Sequence, residues 1–111
     1  MLEARSSKLE AGGWYGATLE PVKRLEKKLF ALTDRIESLA RERAAVEAEL
    51  SELREIAVES ESDAIYYDEA IDRVDARVTA ADVARFERVL ADLDSERAQL
   101  EQRRVTLLDR L

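Results

Sequence analysis

The chain has 111 residues and a mass of 12.6 kDa, the size of a single domain, which excludes most multidomain enzymes. It contains no cysteine and no histidine, so it lacks a thiolate nucleophile, the usual general base near neutral pH and the usual zinc ligands. Its net charge of −7 disfavours binding to nucleic acid and to anionic membranes, because both would repel it.

Alanine, glutamate, leucine and arginine dominate the composition, whereas glycine occurs three times and proline once. Such a composition is typical of long helices and coiled coils. The sequence contains no run of 18 apolar residues, so we expect no membrane-spanning segment. We expect a cytoplasmic protein without a metal ion, a cofactor or catalytic residues.

Residues 1–18 differ from the rest of the chain because they contain all three glycines, which surround Trp14 and Tyr15. Glycine-rich segments favour turns and irregular backbone. We therefore predict a short N-terminal arm with a Gly-rich turn, whose two aromatic side chains are available to a protein partner.

A long helix is predicted over residues 19–58. Its apolar positions follow one another at alternating steps of three and four, which is the spacing of a coiled coil. We call this series of positions the seam. In the first long helix the seam contains Val22, Leu25, Leu29, Leu32, Ile36, Leu39, Arg43, Val46, Leu50, Leu53 and Ala57.

Polar residues at 59–63 predict the end of this helix. A short helix over residues 63–77 would then have its own seam, and the stretch from Thr79 to Asp82 has the form of a capping box that would start a third helix over residues 80–111. The short seam comprises Ala64, Tyr67, Ile71, Val74 and Val78. The predicted fold is all-α: a coiled-coil helical bundle or hairpin of long, short and long helices that forms one domain over residues 19–111.

Isolated helices with narrow seams are marginally stable in water, so the seams must pack against each other or against a second chain. We therefore predict a homodimer, with parallel and antiparallel pairing both open. Arg43, Arg97 and Arg104 occupy seam positions, and a polar residue there commonly specifies helix register or oligomeric state. We predict that role for these three arginines.

Negative charge is concentrated between residues 59 and 75, where seven acids face one arginine and give a net charge of −6. Acids near helix starts are common, because they interact favourably with the helix dipole. The alternative is an acidic surface that binds a basic protein partner, and we predict that it uses Glu59, Glu61, Asp63, Asp68, Glu69 and Asp72. Lys23, Arg24, Lys27 and Lys28 form a small basic face that would meet this acidic bend in an antiparallel dimer.

The stretch from Asp63 to Ala70 resembles the acidic tip of the Gre-type transcript-cleavage factors. In that family a coiled-coil hairpin enters the secondary channel of RNA polymerase and holds a catalytic magnesium ion there. The resemblance implies a regulator of RNA polymerase in which Asp63 and Asp68 are the functional acids.

The order of the predicted helices is similar to that of the all-helical chorismate mutases, in which cationic side chains clamp a dicarboxylate inside an intertwined dimer. Arg43 and Arg54 fall at two cationic positions of that family, and Ser95 and Gln99 fall at its polar pair. Glu26 stands where the first-helix arginine belongs, which removes part of the positive charge that the substrate needs.

From the sequence we expect a non-enzymatic module for protein–protein interaction, scaffolding or regulation that presents an acidic bend to a partner of unknown identity. A Gre-like regulatory hairpin is the alternative, and a chorismate-mutase-like enzyme is the third possibility.

Overall fold

The computed structural model describes the backbone of residues 2–111 and the side chains of residues 20–111. Two helices account for nearly all of it: α1 spans Leu2–Tyr67 and α2 spans Ala70–Leu108. Asp68 and Glu69 connect them, and the described residues form no strand. The prediction of an all-α hairpin is confirmed.

The two helices run antiparallel, as two ion pairs between them show. Arg35, far from the turn on α1, contacts Glu96 at 3.0 Å, whereas Arg54, closer to the turn, contacts Glu87 at 3.2 Å. Positions beside the seam are where coiled-coil helices form the ion pairs that fix orientation. All four side chains are about half exposed, so each pair contributes at most about 1 kcal/mol.

The core is a thin line of side chains between the helices. Among the described residues only Ile36, Leu39 and Leu50 are buried, and Leu39 and Leu50 are 1% and 0% exposed. The other seam residues of α1, from Leu25 to Ala57, are half-buried, whereas Val22, the first predicted seam residue, is exposed. A pair of helices has no third layer, so the outer flank of each seam side chain stays in contact with water.

Both predicted ends of the first long helix are wrong. The helix α1 begins at Leu2, so the glycines that were predicted to form a turn lie within it, and it continues through residues 59–63 to Tyr67. Its seam continues as well: Ser60 and Ala64 follow Ala57 at steps of three and four, and both are half-buried. The sequence pattern hides this continuation, because neither residue is large and apolar.

The predicted capping box is also wrong, because Thr79 lies inside α2. Its hydroxyl donates to the backbone carbonyl of Asp75, one turn earlier, at 2.8 Å. This bond is a common alternative for a threonine within a helix. The predicted short and third helices are therefore one helix.

Because α2 is a single helix, it has a single seam. The large apolar residues from Val83 to Leu107 determine which positions this seam occupies. Counting back from Val83 by steps of four, three and four gives Thr79, Ala76 and Asp72, and these three are half-buried. The predicted seam residues Ile71, Val74 and Val78 lie off this seam and are exposed. Tyr67, the last residue of α1, is exposed as well. Only Ala64 keeps its predicted inward position.

The turn depends on the backbone of Asp68, which has a φ of 50°. Aspartate tolerates this left-handed conformation better than most residues do. Arg73 holds the turn from α2, because its Nη1 donates to the backbone carbonyl of Asp68 at 2.9 Å and to its Oδ1 at 2.7 Å. One cation therefore spans the connection between the two helices.

Replacing Asp68 with valine is expected to lower the free energy of unfolding by about 1–2 kcal/mol, since a β-branched residue fits the left-handed region poorly. Asp68→Asn is the matched control, because asparagine also tolerates this conformation; we expect a change within about 0.5 kcal/mol. Urea unfolding followed by circular dichroism measures both. Equal stability of the two variants would contradict the left-handed turn at this residue.

Candidate protein-binding site

Three large apolar side chains, Ile65, Tyr66 and Tyr67, are exposed at the turn of the hairpin, by 77%, 82% and 60%. Successive residues of a helix point about 100° apart, so three of them cannot all face the seam. Tyr67 follows Ala64 at a seam step of three, but α1 ends at this residue and its side chain stays exposed. The two tyrosine rings pack edge to face, with centroids 5.0 Å apart and planes at 77°. We call these three residues the turn surface.

Acidic residues surround the turn surface. Of the six predicted partner-binding acids, Glu59, Glu61, Asp68 and Glu69 are exposed. Glu59 and Glu61 are two residues apart on one helix and therefore point in nearly opposite directions. The exposed acids therefore lie on different sides of this end of the hairpin, and one of them, Asp68, is paired with Arg73. We call these exposed acids the acidic rim.

The other two predicted acids, Asp63 and Asp72, are half-buried. Asp72 lies on the seam of α2, where its carboxylate is partly covered by the hairpin. Within residues 20–111 no group of three or more acidic side chains is close enough to hold a metal ion.

Arg43, predicted to specify register, makes the shortest ion pair between the helices. Its Nε donates to Oδ1 of Asp94 at 2.6 Å, and its Nη1 donates to Oε2 of Glu47 at 2.7 Å on the same helix. The hydrogen bond and the charge of Asp94, together with the charge of Glu47, raise the pKa of the Arg43 guanidinium above its usual value. This contact places the turn of α1 that contains Arg43 next to the turn of α2 that contains Asp94.

Arg97 and Arg104 lie on the seam of α2 and are half-buried. Arg97 contacts Glu101 of its own helix at 3.1 Å. In the part of the chain whose side chains are described, neither arginine forms an ion pair with α1. Among the described residues, therefore, Arg43 connects the two helices through an ion pair, whereas Arg97 and Arg104 do not.

The structure describes the residues on which the resemblance to the chorismate mutases rests. Arg43 and Arg54 each contact a carboxylate of α2, from Asp94 and Glu87. Ser95 and Gln99 are exposed. Both guanidinium groups are therefore engaged by acids of the hairpin itself.

Comparisons with known proteins do not assign the chain to a family. No family model matches it. No curated protein and no solved structure is significantly similar to it either. Neither helix, within its described residues, contains an apolar stretch that could cross a membrane.

Sequence reasoning missed Tyr66 and Tyr67 as binding residues. The available signal was the run of three adjacent large apolar residues, Ile65 to Tyr67, which cannot follow a seam with steps of three and four. Trp14 and Tyr15, which were predicted to bind a partner, lie outside the residues whose side chains the structure describes.

Proposed function

We propose that the protein is a non-enzymatic interaction module that uses the turn of its helical hairpin to bind another protein. The observation that carries the proposal is the exposed pair Tyr66 and Tyr67, held at the end of a rigid helical element and surrounded by acids. Tyrosine is enriched among the residues that dominate binding energy at protein interfaces. Isolated exposed apolar residues are ordinary, but a contiguous group at the end of an elongated element is typical of a binding surface.

The chemistry of the turn surface indicates the kind of partner. Exposed aromatic rings gain free energy when they enter an apolar pocket, whereas the acidic rim favours partners with basic residues around that pocket. We therefore propose a partner with an apolar pocket bordered by lysine or arginine. Its association should slow as ionic strength rises, because exposed charges are screened within about 8 Å at physiological salt.

The remaining length of the hairpin serves as a scaffold in this proposal, with its helices packed as an antiparallel coiled coil. A homodimer would complete the scaffold, because two helices bury few side chains and leave most seam residues partly in water. Light scattering at micromolar concentration should therefore report a mass above 12.6 kDa. A single species of monomeric mass would contradict this part of the proposal.

The turn surface is tested by capturing partners from native cell extract with the wild type and with the double variant Tyr66→Ala, Tyr67→Ala. We expect the variant to recover its partners at least about thirtyfold less well, the effect of losing about 2 kcal/mol of binding energy. Phe30→Ala is the matched control, because Phe30 is equally exposed at 68% but lies far from the turn. Equal recovery with all three proteins would contradict a partner site at the turn.

A Gre-like regulator of RNA polymerase is the second candidate. It is favoured by the position of the turn, since Asp68 lies at the tip of the hairpin, within the stretch that resembles the acidic tip of that family. Asp63→Ala with Asp68→Ala separates the two functions. Retained binding to RNA polymerase with loss of transcript cleavage would favour the regulator, whereas loss of partner binding would favour the interaction module.

A further inference from the structure

A shallow groove of about 280 Å³ lies between the helices at the open end of the hairpin, the end away from the turn. Its floor is apolar and its rim is basic. Arg35 of the rim is already paired with Glu96, but Lys28 and Arg103 form no ion pair within residues 20–111. The floor contains Ala31, Leu32, Leu100 and Leu107, and the rim contains Lys28, Arg35 and Arg103.

Near the turn, α2 carries a stripe with the opposite charge. Ile71, Val74 and Val78 are all exposed, although they are apolar. Asp75 lies among them and is exposed as well. The apolar side chains of the stripe therefore match the apolar floor of the groove. Its negative charge matches the basic rim of the groove.

The stripe and the groove lie along the same edge of α2. The half-buried positions of this helix repeat every seven residues from Asp72 to Leu107, so positions separated by whole multiples of seven keep the same relation to the seam. Asp75 and Arg103 are 28 residues apart. They therefore occupy the same edge, one near the turn and one near the open end.

The order of residues is mirrored between the two sites. Ile71 lies four residues before Asp75 and Val78 three after it, whereas Leu100 lies three residues before Arg103 and Leu107 four after it. An antiparallel copy of α2 would therefore place Asp75 opposite Arg103. The same register places Ile71 opposite Leu107 and Val78 opposite Leu100. It also places Asp82 opposite Glu96, two acids that are each paired with an arginine of their own chain, Arg85 and Arg35.

We propose that a second copy of this chain docks antiparallel along α2, so that the stripe of each copy covers the groove of the other. The two-fold axis passes at Val89, which lies fourteen residues from both Asp75 and Arg103 and is itself exposed. A symmetric dimer uses one self-complementary surface twice, as this arrangement does. A parallel arrangement would instead bring the acidic halves of the two copies together. The inference deepens the proposed homodimer by assigning its surface and register.

Charge exchange tests the register. We expect Asp75→Arg and Arg103→Asp each to weaken the dimer about tenfold or more in sedimentation equilibrium, because each places like charges opposite each other at two symmetric points. The double variant should restore the wild-type dissociation constant. Arg77→Asp is the control: Arg77 lies two residues beyond Asp75 and so on the other side of α2, and we expect it to leave the dimer unchanged.

Cross-linking tests the position of the axis, since the wild-type chain contains no cysteine. Val89→Cys should form a covalent dimer on mild oxidation or with a short bismaleimide. Val105→Cys should not, because the two copies of residue 105 would be about 48 Å apart. A dimer that resists both charge reversals and does not cross-link at residue 89 would overturn this inference and leave the homodimer standing. A monomeric wild type would overturn both.

Discussion

Replacing Leu50 or Leu39 with alanine is expected to lower the free energy of unfolding by about 2–5 kcal/mol, a large part of the total stability of a small domain. These two side chains are the most completely buried of the described residues, at 0% and 1% exposure. Truncation removes their apolar contacts and leaves a cavity between two helices that have no other layer to close it.

Urea unfolding followed by circular dichroism measures this loss. Val58→Ala is the matched control: Val58 lies on the same helix, eight residues beyond Leu50, but is 66% exposed. We expect it to change the free energy of unfolding by no more than about 0.5 kcal/mol. Similar losses for Val58→Ala and Leu50→Ala would show that the contact between the helices differs from the one described.

Replacing both Arg97 and Arg104 with leucine is expected to stabilise the hairpin by about 2 kcal/mol, which would raise Tm by roughly 10 °C. Both arginines occupy half-buried seam positions, where a leucine would bury apolar surface. Neither loses an ion pair with the other helix among the described residues; Arg97 gives up only its contact with Glu101. A seam without these arginines should also associate less specifically, giving mixed oligomers.

Differential scanning calorimetry with light scattering measures both effects. Arg43→Leu is the matched control, because Arg43 also lies on the seam but donates to Asp94 of α2 at 2.6 Å. Its replacement leaves Asp94 without a partner, so we expect a smaller gain in Tm or a loss. A large loss of Tm in the Arg97, Arg104 double variant would show that these arginines are paired in the assembled protein.

The two-helix seam could largely be predicted from sequence, because its spacing depends only on the geometry of a helix. The steps of three and four from Leu25 to Ala57 in α1 and from Val83 to Leu107 in α2 are inward-facing in the structure. Long-range periodicity of this kind is the strongest signal that a single sequence carries.

The number of helices could not be predicted in the same way. Near the turn, the seam positions are taken by Ser60, Ala64, Ala76 and Thr79, which are small or polar and leave no apolar signal. The larger residues nearby, such as Ile71 and Val78, suggested a separate helix with its own seam. The seam falls on Ala76 and Thr79, and not on Ile71 and Val78, because α2 is one unbroken helix. Whether it is unbroken depends on contacts with α1 farther along the chain.

The acidic character of the site could be predicted, but its aromatic centre could not. Acids are visible in the sequence as a change in composition, and residues 59–75 carry a net charge of −6. Whether Tyr67 faces inward or outward depends on where the turn lies, and the structure places the turn immediately after this residue. Tyr67 occupies a seam position and is exposed because α1 ends there.

The central claim is that the turn of the hairpin is the partner-binding end. Site-specific photo-cross-linking in the native cell tests this claim most directly. A photoreactive benzoylphenylalanine would replace either Tyr66 or Phe30, which are both exposed aromatic residues. After irradiation, the account predicts a covalent adduct with another protein from position 66 and none from position 30. Adducts from position 30 alone, or equal adducts from both, would contradict it.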